Sequence, residues 1–553
     1  MLKTSPIQKL WQLIKEERSE ISAIYFYAIL GGLLQLSVPI GVQSIIGFVM
    51  GASMVTSIYV LIFVIVLAVL LVGILQINQM KIIEKIQQRI FTRYAFAFSE
   101  VIPRIDLKKS NAYYLPEKIN RFFDTQILQK GFSKILLELP TASIQIILGL
   151  LLLSLYHPLF IVFGLMLIFI LWLILKVTAK SGMATSLLES DYKYAVAAWL
   201  EEMARVIQTF KFSQGSHLNL KKTDQPVTHY LNAKTKHFKV LVFQYKTLVF
   251  FKVAITTAML VVGTYLLLNQ QLNIGEFIAA EIVILTVIGA IEKLISSLDN
   301  VYDVVTSLEK LASIADCEIE KDGTLQLDTE EGIQIEYVNY SFEYELGKPI
   351  LNNISLLIPA KSKVALVGKE GVGKTSLLKT LSTHYSDFKG TLSINNVPIG
   401  NYQLESLRHH TGIFLQQPAL FQGTLYENIA MGRQDITPEK IIKIAEKAGL
   451  KSFLNNLSLG FETAIDPLGA KLPFTSTKKI LLLRALVNQP ALLLMDEPFI
   501  GIEHEIQHQL HNYLFNEMPN TTMLVAVSDE QELQLFDYQI EMINGTVQLK
   551  KIK

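Results

Sequence analysis

The sequence predicts two unlike domains, a polytopic α-helical membrane domain with six transmembrane helices and an α/β domain that follows it. Half of the 553 residues are apolar while only 18% are charged, and the chain is too long for one compact core. The apolar excess lies in the first part of the chain. After LASIADCEIEKDG the pattern changes to short β-branched runs, polar turns and helices, which is typical of an α/β domain. We therefore predict a transmembrane domain at 1–310, a linker at 311–332 and the α/β domain at 333–553.

Long uncharged stretches predict the membrane spans. Residues 21–80 contain no Asp, Glu, Lys, Arg or His, and they are long enough for two helices of about 20–25 residues, separated at GASMVT (51–56). Residues 139–175 are uncharged except for His157, and the pair His157-Pro158 divides them into another two spans. Two further apolar stretches follow. The six predicted spans are residues 21–50, 55–80, 134–156, 158–178, 240–268 and 274–298.

The basic residues between the spans predict their orientation. Residues 81–134 carry eleven Lys or Arg and residues 176–252 carry twelve, whereas the other connections carry none. By the positive-inside rule, both long segments are cytoplasmic, and so are both termini. The segments are too long for simple loops, so we expect the helices to continue past the bilayer, with turns near 110–118 and 210–216.

Two features concern the membrane itself. An apolar face at the start of the chain predicts a helix that lies on the inner leaflet, and this face is formed by Ile7, Leu10, Trp11 and Ile14. Glu281 lies inside the sixth predicted span, where an ionisable group is costly unless it faces protein or water. It is either part of a transport pathway or a glutamate that neighbouring groups satisfy, and the sequence leaves both open.

Composition excludes two kinds of site. A net charge of +1, with no long basic or acidic run, argues against a nucleic-acid partner. The single cysteine, Cys317, excludes an intrachain disulfide framework and a Cys-rich zinc site. We read Cys317 as a small buried hydrophobic residue.

The α/β domain contains KVALVGKEGVGKTSLLKTL, which reads as a strand, a glycine-rich loop and a helix. Residues 368–375 match G-x-x-x-x-G-K-[ST]. Glycines let the backbone wrap around phosphate groups, and the helix N-terminus offers unpaired N–H groups to the anion. Lys374 would reach the β and γ phosphates of a nucleotide, and Thr375 a magnesium ion. The predicted nucleotide-binding residues here are Gly368, Gly371, Val372, Gly373, Lys374, Thr375 and Ser376.

A second motif, ALLLMDEP, ends a buried apolar strand in two carboxylates. Asp496 is placed to hold magnesium, directly or through water, and Glu497 to polarise an attacking water molecule. Alone, the pair would be two solvated carboxylates at a strand end. The glycine-rich loop upstream favours the metal-binding and catalytic interpretation.

Together, the six spans, the long cytoplasmic extensions, the glycine-rich loop and LLLMDEP resemble a half-transporter of the ATP-binding cassette (ABC) family, of the exporter type, over nearly the whole chain. The resemblance implies ATP and Mg²⁺ as cofactors. Tyr344 resembles the aromatic residue that stacks on adenine. Gln416, in IFLQQPALFQGTLYENI, resembles the catalytic glutamine that contacts magnesium and water and senses the membrane domain.

The sequence departs from this family at the segment that reaches the ATP of the opposite subunit. Residues 472–476, LPFTS, stand where the family has L-S-G-G-Q. Pro473 has neither a hydroxyl nor an N–H, and Phe474 puts a ring where a glycine lets the backbone approach phosphate. The segment IGIE (500–503) replaces the usual S-A-L-D, and Ser528 stands where a histidine is expected. These departures predict that the chain has lost most of the groups that would contact the ATP bound to the opposite subunit.

His504, Glu505 and His508 match H-E-x-x-H, and His511 adds a third imidazole on the same helical face. This pattern is found in zinc proteases. Against it, the segment directly follows the DEP strand, where the resemblance implies an ordinary helix, and no second zinc-ligand segment is evident.

These observations lead to one expectation and two alternatives. We expect ATP-dependent export of an unidentified substrate by a dimer in the cell membrane, with the nucleotide-binding domain in the cytoplasm. A second half-transporter with an intact signature is the favoured partner, and a homodimer is possible. The alternatives are a subunit that binds ATP but hydrolyses it weakly or not at all, and, remotely, a zinc protease.

Overall fold

A computed structural model of the chain describes residues 6–51, 55–108, 115–213, 216–345, 347–416 and 420–553. These residues belong to two compact units. The first unit comprises Met1–Arg104 and Tyr114–Cys317. The second comprises Ile105–Tyr113 and Glu318–Lys553.

The first unit is helical. Within the described part of the chain, six of its helical stretches are long and apolar enough to cross a membrane, which confirms the predicted number. Large apolar side chains such as Phe63 are exposed along them, as expected where lipid rather than protein covers a helix. The helices are α1 (Pro6–Glu16), α2 (Arg18–Gln35), α3 (Ser37–Met50), α4 (Val55–Val101), α5 (Leu115–Ile119), α6 (Asp124–Tyr156), α7 (Leu159–Arg205), α8 (Ile207–Phe212), α9 (Leu218–Leu268) and α10 (Ile274–Ala315).

The first predicted span, residues 21–50, is two helices instead of one. Helix α2 ends at Gln35 and α3 begins at Ser37. Pro39 has no N–H to donate to the carbonyl of Gln35, so the series of helical hydrogen bonds is interrupted there. The N–H of Leu36 donates to the carbonyl of Leu33 at 3.2 Å, which tightens the last turn of α2.

The expected helical extensions are present. Helix α4 continues to Val101 and α7 to Arg205, well past the predicted ends of their spans, and α9 begins at Leu218, well before its span. The two predicted turns near 110–118 and 210–216 fall partly on residues 109–114 and 214–215, which lie outside the described residues.

Buried charges join the helices next to the apolar spans. The side chain of Glu17 is only 2% exposed, and its two carboxylate oxygens lie 3.0 Å from Arg89 and 3.0 Å from Arg93 of α4. Asp124, also buried, lies 3.0 Å from the ammonium group of Lys193. A buried carboxylate requires such partners, because desolvation without them is costly.

The second unit is an α/β domain with two main sheets. A four-stranded antiparallel sheet has the order β2-β1-β4-β5, and a six-stranded sheet has the order β12-β11-β3-β10-β9-β6. A third, two-stranded sheet pairs β7 with β8. The strands are β1 (Ile335–Glu343), β2 (Pro349–Ile358), β3 (Lys363–Val367), β4 (Lys389–Ile394), β5 (Val397–Pro398), β6 (Thr411–Phe414), β7 (Gly423–Thr424), β8 (Ala464–Ile465), β9 (Leu492–Asp496), β10 (Thr522–Ala526), β11 (Tyr538–Ile543) and β12 (Thr546–Lys551). The helices are α11 (Lys374–Leu381), α12 (Leu404–His409), α13 (Leu425–Ala430), α14 (Pro438–Lys447), α15 (Lys451–Asn455), α16 (Phe474–Leu486) and α17 (His504–Asn512).

Parallel pairing dominates the six-stranded sheet. Strands β11, β3, β10, β9 and β6 run parallel, and only β12 at the edge is antiparallel. Strands β9 and β10 are buried along their whole length, because helices cover both faces. Parallel strands carry their carboxyl ends to one edge of the sheet, and that edge is where ligands bind in such folds.

The boundary between the units differs from the predicted linker, residues 311–332. Helix α10 continues to Ala315, and the second unit begins at Glu318. The N–H of Gly323 donates to the carbonyl of Tyr402 at 3.0 Å, so this part of the segment is bonded to the α/β domain. Cys317 lies at this boundary and is half-buried, which is less than we expected.

A short piece of the chain between α4 and α5 also belongs to the second unit. Ile105 pairs with Ile319 as an isolated bridge, and the N–H of Asp106 donates to the carbonyl of Glu318 at 3.0 Å. The ammonium group of Lys108 lies 3.1 Å from the carboxylate of Asp387. Residues from two distant parts of the sequence therefore build this edge of the α/β domain.

Glu532 makes the stability of the second unit depend on pH. Burial, with nearby Asp529, raises the pKa of this carboxyl group to about 7. Because the folded state retains the proton where the unfolded state loses it, the stability contributed by Glu532 is lost as pH rises from about 4.5 to about 7. We expect Glu532→Gln to raise the unfolding midpoint of this unit by about 2–4 °C at pH 8, and by nothing measurable at pH 4.5.

Scanning calorimetry of the purified protein at both pH values measures this effect. Glu331→Gln, at an exposed carboxylate, is the matched control. An equal shift at both pH values would contradict the assignment.

Candidate functional site

Four neighbouring parallel strands end at one edge of the six-stranded sheet, and a residue of the candidate site follows each of them. Gly368 follows β3, Gln416 follows β6, Glu497 follows β9 and Ser528 follows β10. The register supports this alignment, because Ala526 of β10 pairs with Asp496 of β9 and with Leu366 of β3. Parts of the chain more than a hundred residues apart thus meet at one site.

The glycine-rich loop connects β3 to α11. Gly373 immediately precedes α11 and has φ of 110°, a conformation that side chains rarely adopt. A Cβ at this position would also lie 3.1 Å from the side chain of Leu351. Glycine is therefore required here on both counts, and the turn directs the N-terminus of α11 toward the space that the loop encloses.

Lys374 is the cation of this loop. Its ammonium group donates to the carbonyl of Gly368 at 2.6 Å and lies 3.3 Å from that of Lys369. The amine is thus held at the mouth of the loop by main-chain oxygens. An anion bound in the loop would meet this cation together with the helix N-terminus.

Thr375 and Asp496 form the predicted magnesium site. The hydroxyl of Thr375 donates to the carboxylate of Asp496 at 2.7 Å. Asp496 is 5% exposed, and this burial raises its pKa, while the Thr375 hydroxyl and the Lys374 charge oppose the rise. A hydroxyl and a carboxylate are the hard oxygen ligands that Mg²⁺ prefers, so the donor set fits the predicted ion.

Three contacts position the carboxylate and the N–H of Glu497. Its Oε1 accepts a hydrogen bond from the hydroxyl of Ser528 at 2.6 Å, and its Oε2 accepts one from the amide of Gln416. Its N–H donates to the carbonyl of Ala526 at 3.0 Å. Glu497 also has φ of 50°, which is strained for a residue with a side chain and persists only where the surroundings maintain it. The sequence predicted Glu497 and Gln416 as catalytic but did not anticipate the role of Ser528.

Tyr344, the predicted adenine contact, lies against the start of α11. Its hydroxyl is 3.2 Å from the hydroxyl of Ser376, which is another predicted binding residue. Its ring packs edge-on against Phe342 at 4.9 Å and Tyr385 at 5.2 Å between ring centroids. The aromatic cluster places Tyr344 beside the phosphate loop, and the stacking on adenine remains a prediction.

The departing segment LPFTS forms the start of α16. Pro473 is the residue before the helix, and Phe474 is its first residue, with 59% of its surface exposed. The N–H of Thr477 donates to the carbonyl of Pro473 at 3.1 Å. This end of the helix therefore presents an exposed ring where the resemblance implies glycine backbone.

Sequence reasoning missed Lys478, which is 4% exposed. Its ammonium group donates to the carbonyl of Glu497 at 3.2 Å and to that of Ile500 at 2.5 Å. Its neighbour Lys479 lies 2.7 Å from the carboxylate of Glu503. A lysine in the middle of a helix carries no signal of such contacts, because they depend on which loop packs beside it.

The H-E-x-x-H segment does not form a metal site. His504, Glu505 and His508 are exposed on α17, and the ring of His511 packs on Phe499 at 4.3 Å between centroids. In the described parts of the chain, no group of three His, Cys, Asp or Glu residues could hold a metal ion. The structure therefore gives no support to the zinc-protease alternative.

Two family models match the chain. The model of the ABC transporter transmembrane region matches residues 21–291, and the ABC transporter model matches residues 351–500.

Curated relatives match parts of the chain. The ATP-binding/permease protein YgaD of Bacillus subtilis is 29% identical over 51% of this chain and 49% of its own length. A multidrug efflux ATP-binding/permease protein of Mycobacterium bovis is 33% identical over 39% of this chain and 18% of its own length. An ATP-dependent lipid A-core flippase of Syntrophus aciditrophicus is 28% identical over 52% of this chain and 48% of its own length. The matched part thus spans about half or less of each of these relatives.

A solved structure shares the fold over nearly the whole chain. The structure of a bacterial Atm1-family ABC exporter with ATP bound has a TM-score of 0.83 to this chain and covers 97% of it and 95% of its own chain. The sequence identity is 17%, so this similarity concerns the fold alone.

The position of Lys374 predicts its effect on nucleotide binding. Removing the cation with Lys374→Ala leaves the phosphate groups without a charge-assisted donor, so we expect the affinity for Mg-ATP to fall about 10- to 100-fold. Equilibrium binding of radiolabelled ATP to the purified protein measures this loss. Lys443→Ala, at an exposed lysine of α14, is the control. Equal affinities of the two variants would show that Lys374 does not contact the nucleotide.

Proposed function

The chain belongs to the ABC transporter family, and we propose that it is one half of a dimeric exporter that couples ATP hydrolysis to the outward movement of a substrate. The observation that carries this proposal is the set of contacts around Glu497. The carboxylate of Glu497 is held by Gln416 and Ser528 next to the bonded pair of Thr375 and Asp496, and it is suited to activate water beside a bound nucleotide.

Each residue of the site has a part in this reaction. Lys374 and the N–H groups of the glycine-rich loop bind the phosphates. Thr375 and Asp496 would hold Mg²⁺, which would neutralise charge on the phosphates. Glu497 accepts a hydrogen bond from the attacking water, and Gln416 orients that water. Since Gln416 and Ser528 already contact the Glu497 carboxylate, that carboxylate is positioned before the water arrives.

The membrane location follows from the six long apolar helices and the distribution of basic residues. The second unit lies in the cytoplasm, because the lysine- and arginine-rich segments between the spans remain on that side. The relatives named above differ in what their names say they move, drugs for one and lipid A-core for another. We therefore propose export without a substrate class.

A heterodimer explains the departing segment. ABC exporters of this type bind ATP between two nucleotide-binding domains, as the resemblance implies. Pro473 and the exposed ring of Phe474 leave few donors for the ATP of an opposite subunit. The partner therefore carries the intact signature, which acts on the ATP held by Lys374. The ATP held by the partner meets LPFTS and turns over slowly.

One observation favours a second candidate, a subunit that binds ATP without hydrolysing it. Ser528 stands where the resemblance implies a histidine, and a hydroxyl supplies no positive charge to the γ-phosphate. In this candidate, nucleotide binding alone stabilises the dimer.

The two candidates differ in the effect of Glu497→Gln. If this site hydrolyses ATP, turnover by the assembled transporter falls by about 100-fold or more, because the amide cannot accept a proton from water. ATPase activity of the transporter in lipid vesicles measures it. Glu505→Gln, at an exposed carboxylate of α17, is the control and removes the glutamate of the H-E-x-x-H pattern. Unchanged turnover of Glu497→Gln would favour the non-hydrolysing candidate.

The heterodimer predicts that a second half-transporter co-purifies with this chain. We expect the tagged chain, purified from membranes of its own organism, to bring down a second half-transporter in equal amount, with L-S-G-G-Q at its signature. Quantitative mass spectrometry of the purified complex identifies it. Recovery of this chain alone, as a dimer active in ATP hydrolysis, would contradict the heterodimer.

A further inference from the structure

Lys478 is a buried cation that the proposed mechanism leaves without a role. It lies in the second turn of α16, and within the described residues its ammonium group is bonded to two main-chain carbonyls and to no carboxylate. Burial lowers its pKa, while the charges of Glu497 and Asp496 oppose that shift. A buried ammonium group is retained only where its surroundings stabilise it.

Both carbonyls that Lys478 contacts belong to the loop after β9. One is the carbonyl of Glu497, and the other is that of Ile500, three residues later. A single amine therefore joins the beginning of this loop, residues 497–503, to its middle. Because donors bearing a positive charge form the stronger class of hydrogen bonds, the amine fixes the path of the backbone between them.

Two aromatic rings complete the surroundings of the amine. The ammonium nitrogen lies 5.6 Å from the ring centroid of Phe414 and 5.7 Å from that of Phe474. Both distances are within the range of cation–π attraction. Phe414 ends β6, two residues before Gln416. The amine thus contacts the strand that leads to one catalytic residue and the loop that begins with the other.

The start of α16 is what places Phe474 over Lys478. Residues four apart lie on the same face of a helix, and the ring of the first residue then reaches the side chain of the fifth. Pro473 is well suited to the position before the helix, since its fixed φ, here −55°, stabilises an abrupt start. The Pro-Phe pair, unexplained by ATP contacts across a dimer, has a structural use within its own subunit.

We propose that Lys478, covered by Phe474, is a positioning residue that holds the backbone of residues 497–500 and thereby the carboxylate of Glu497. This inference rests on the proposed hydrolysis at Glu497. The strained φ of Glu497 requires support, which its N–H receives from Ala526 and its carbonyl from Lys478. Phe474, which lies in the segment that the resemblance assigns to the neighbour's ATP, here covers the amine that holds the loop of its own site.

The test compares Lys478→Met with Lys479→Met in the transporter purified with its partner and reconstituted in lipid vesicles. Met keeps most of the length of the side chain and removes the cation. Lys479 is the matched control, since it is a buried lysine on the same helix that would lose an ion pair with the side chain of Glu503 instead of bonds to the backbone of residues 497–500.

For Lys478→Met, we expect kcat for ATP to fall about tenfold while KM changes less than about twofold, because a small displacement of the base slows chemistry without weakening binding. Hydrogen exchange followed by mass spectrometry should be faster in peptides covering residues 497–503. Lys479→Met should leave kcat within about twofold of the unchanged protein.

Glu497→Gln is measured alongside, so that the two ideas can fail separately. If it abolishes turnover and Lys478→Met retains full kcat, or if exchange at 497–503 is unchanged, the role of Lys478 is wrong. If Glu497→Gln leaves turnover intact, the proposed hydrolysis is wrong. Faster exchange at 497–503 in Lys478→Met would then still support the role of Lys478 in holding this backbone. A fall in the ATP affinity of Lys478→Met as large as its fall in kcat would also overturn a positioning role. So would a drop in its unfolding midpoint large enough to account for the lost activity.

Discussion

The parallel register of β3, β10, β9 and β6 is the constraint on which the site depends. The functional residues come from four separate parts of the sequence, and each part lies at or just after the end of its own strand. The strands are short and apolar because helices cover both faces of the sheet, and burial of their side chains fixes which residue comes last. A slip of one residue in β9 would turn Asp496 away from Thr375 and move Glu497 out of reach of both Gln416 and Ser528.

Motifs predicted the individual residues of the site, because the chemistry of phosphate binding demands particular residue types at fixed spacing. The number of spans was also predictable, because long stretches without charged residues, such as residues 21–80, are stable only in a bilayer or in a protein core. Contacts between distant segments were not predictable. The bonds of Ser528 to Glu497 and of Lys478 to Ile500 depend on tertiary packing that no local pattern encodes. The break at Leu36 was only partly predictable. Pro39 can be read from the sequence, but its effect depends on where the helix is free to bend.

Buried charges in this molecule are stabilised by two kinds of partner, namely charged side chains and main-chain carbonyls. Next to the apolar spans, Glu17 and Asp124 are satisfied by guanidinium and ammonium groups from other helices. In the α/β domain, Lys363 and Lys478 are satisfied by main-chain carbonyls instead. The first arrangement ties together side chains on separate helices. The second fixes the path of a loop. At the candidate site this matters because the position of the Glu497 carboxylate depends on the backbone of its loop.

The segment 105–108 has a consequence for how the chain can be divided. Sequence boundaries suggest that the α/β domain could be excised at about residue 318 or 333, yet its edge also contains Ile105, Asp106 and Lys108. A domain excised at residue 318 would leave Ile319 without its bridge and Asp387 without its counter-ion. For this chain, autonomy of folding belongs to a set of residues that is discontinuous in sequence.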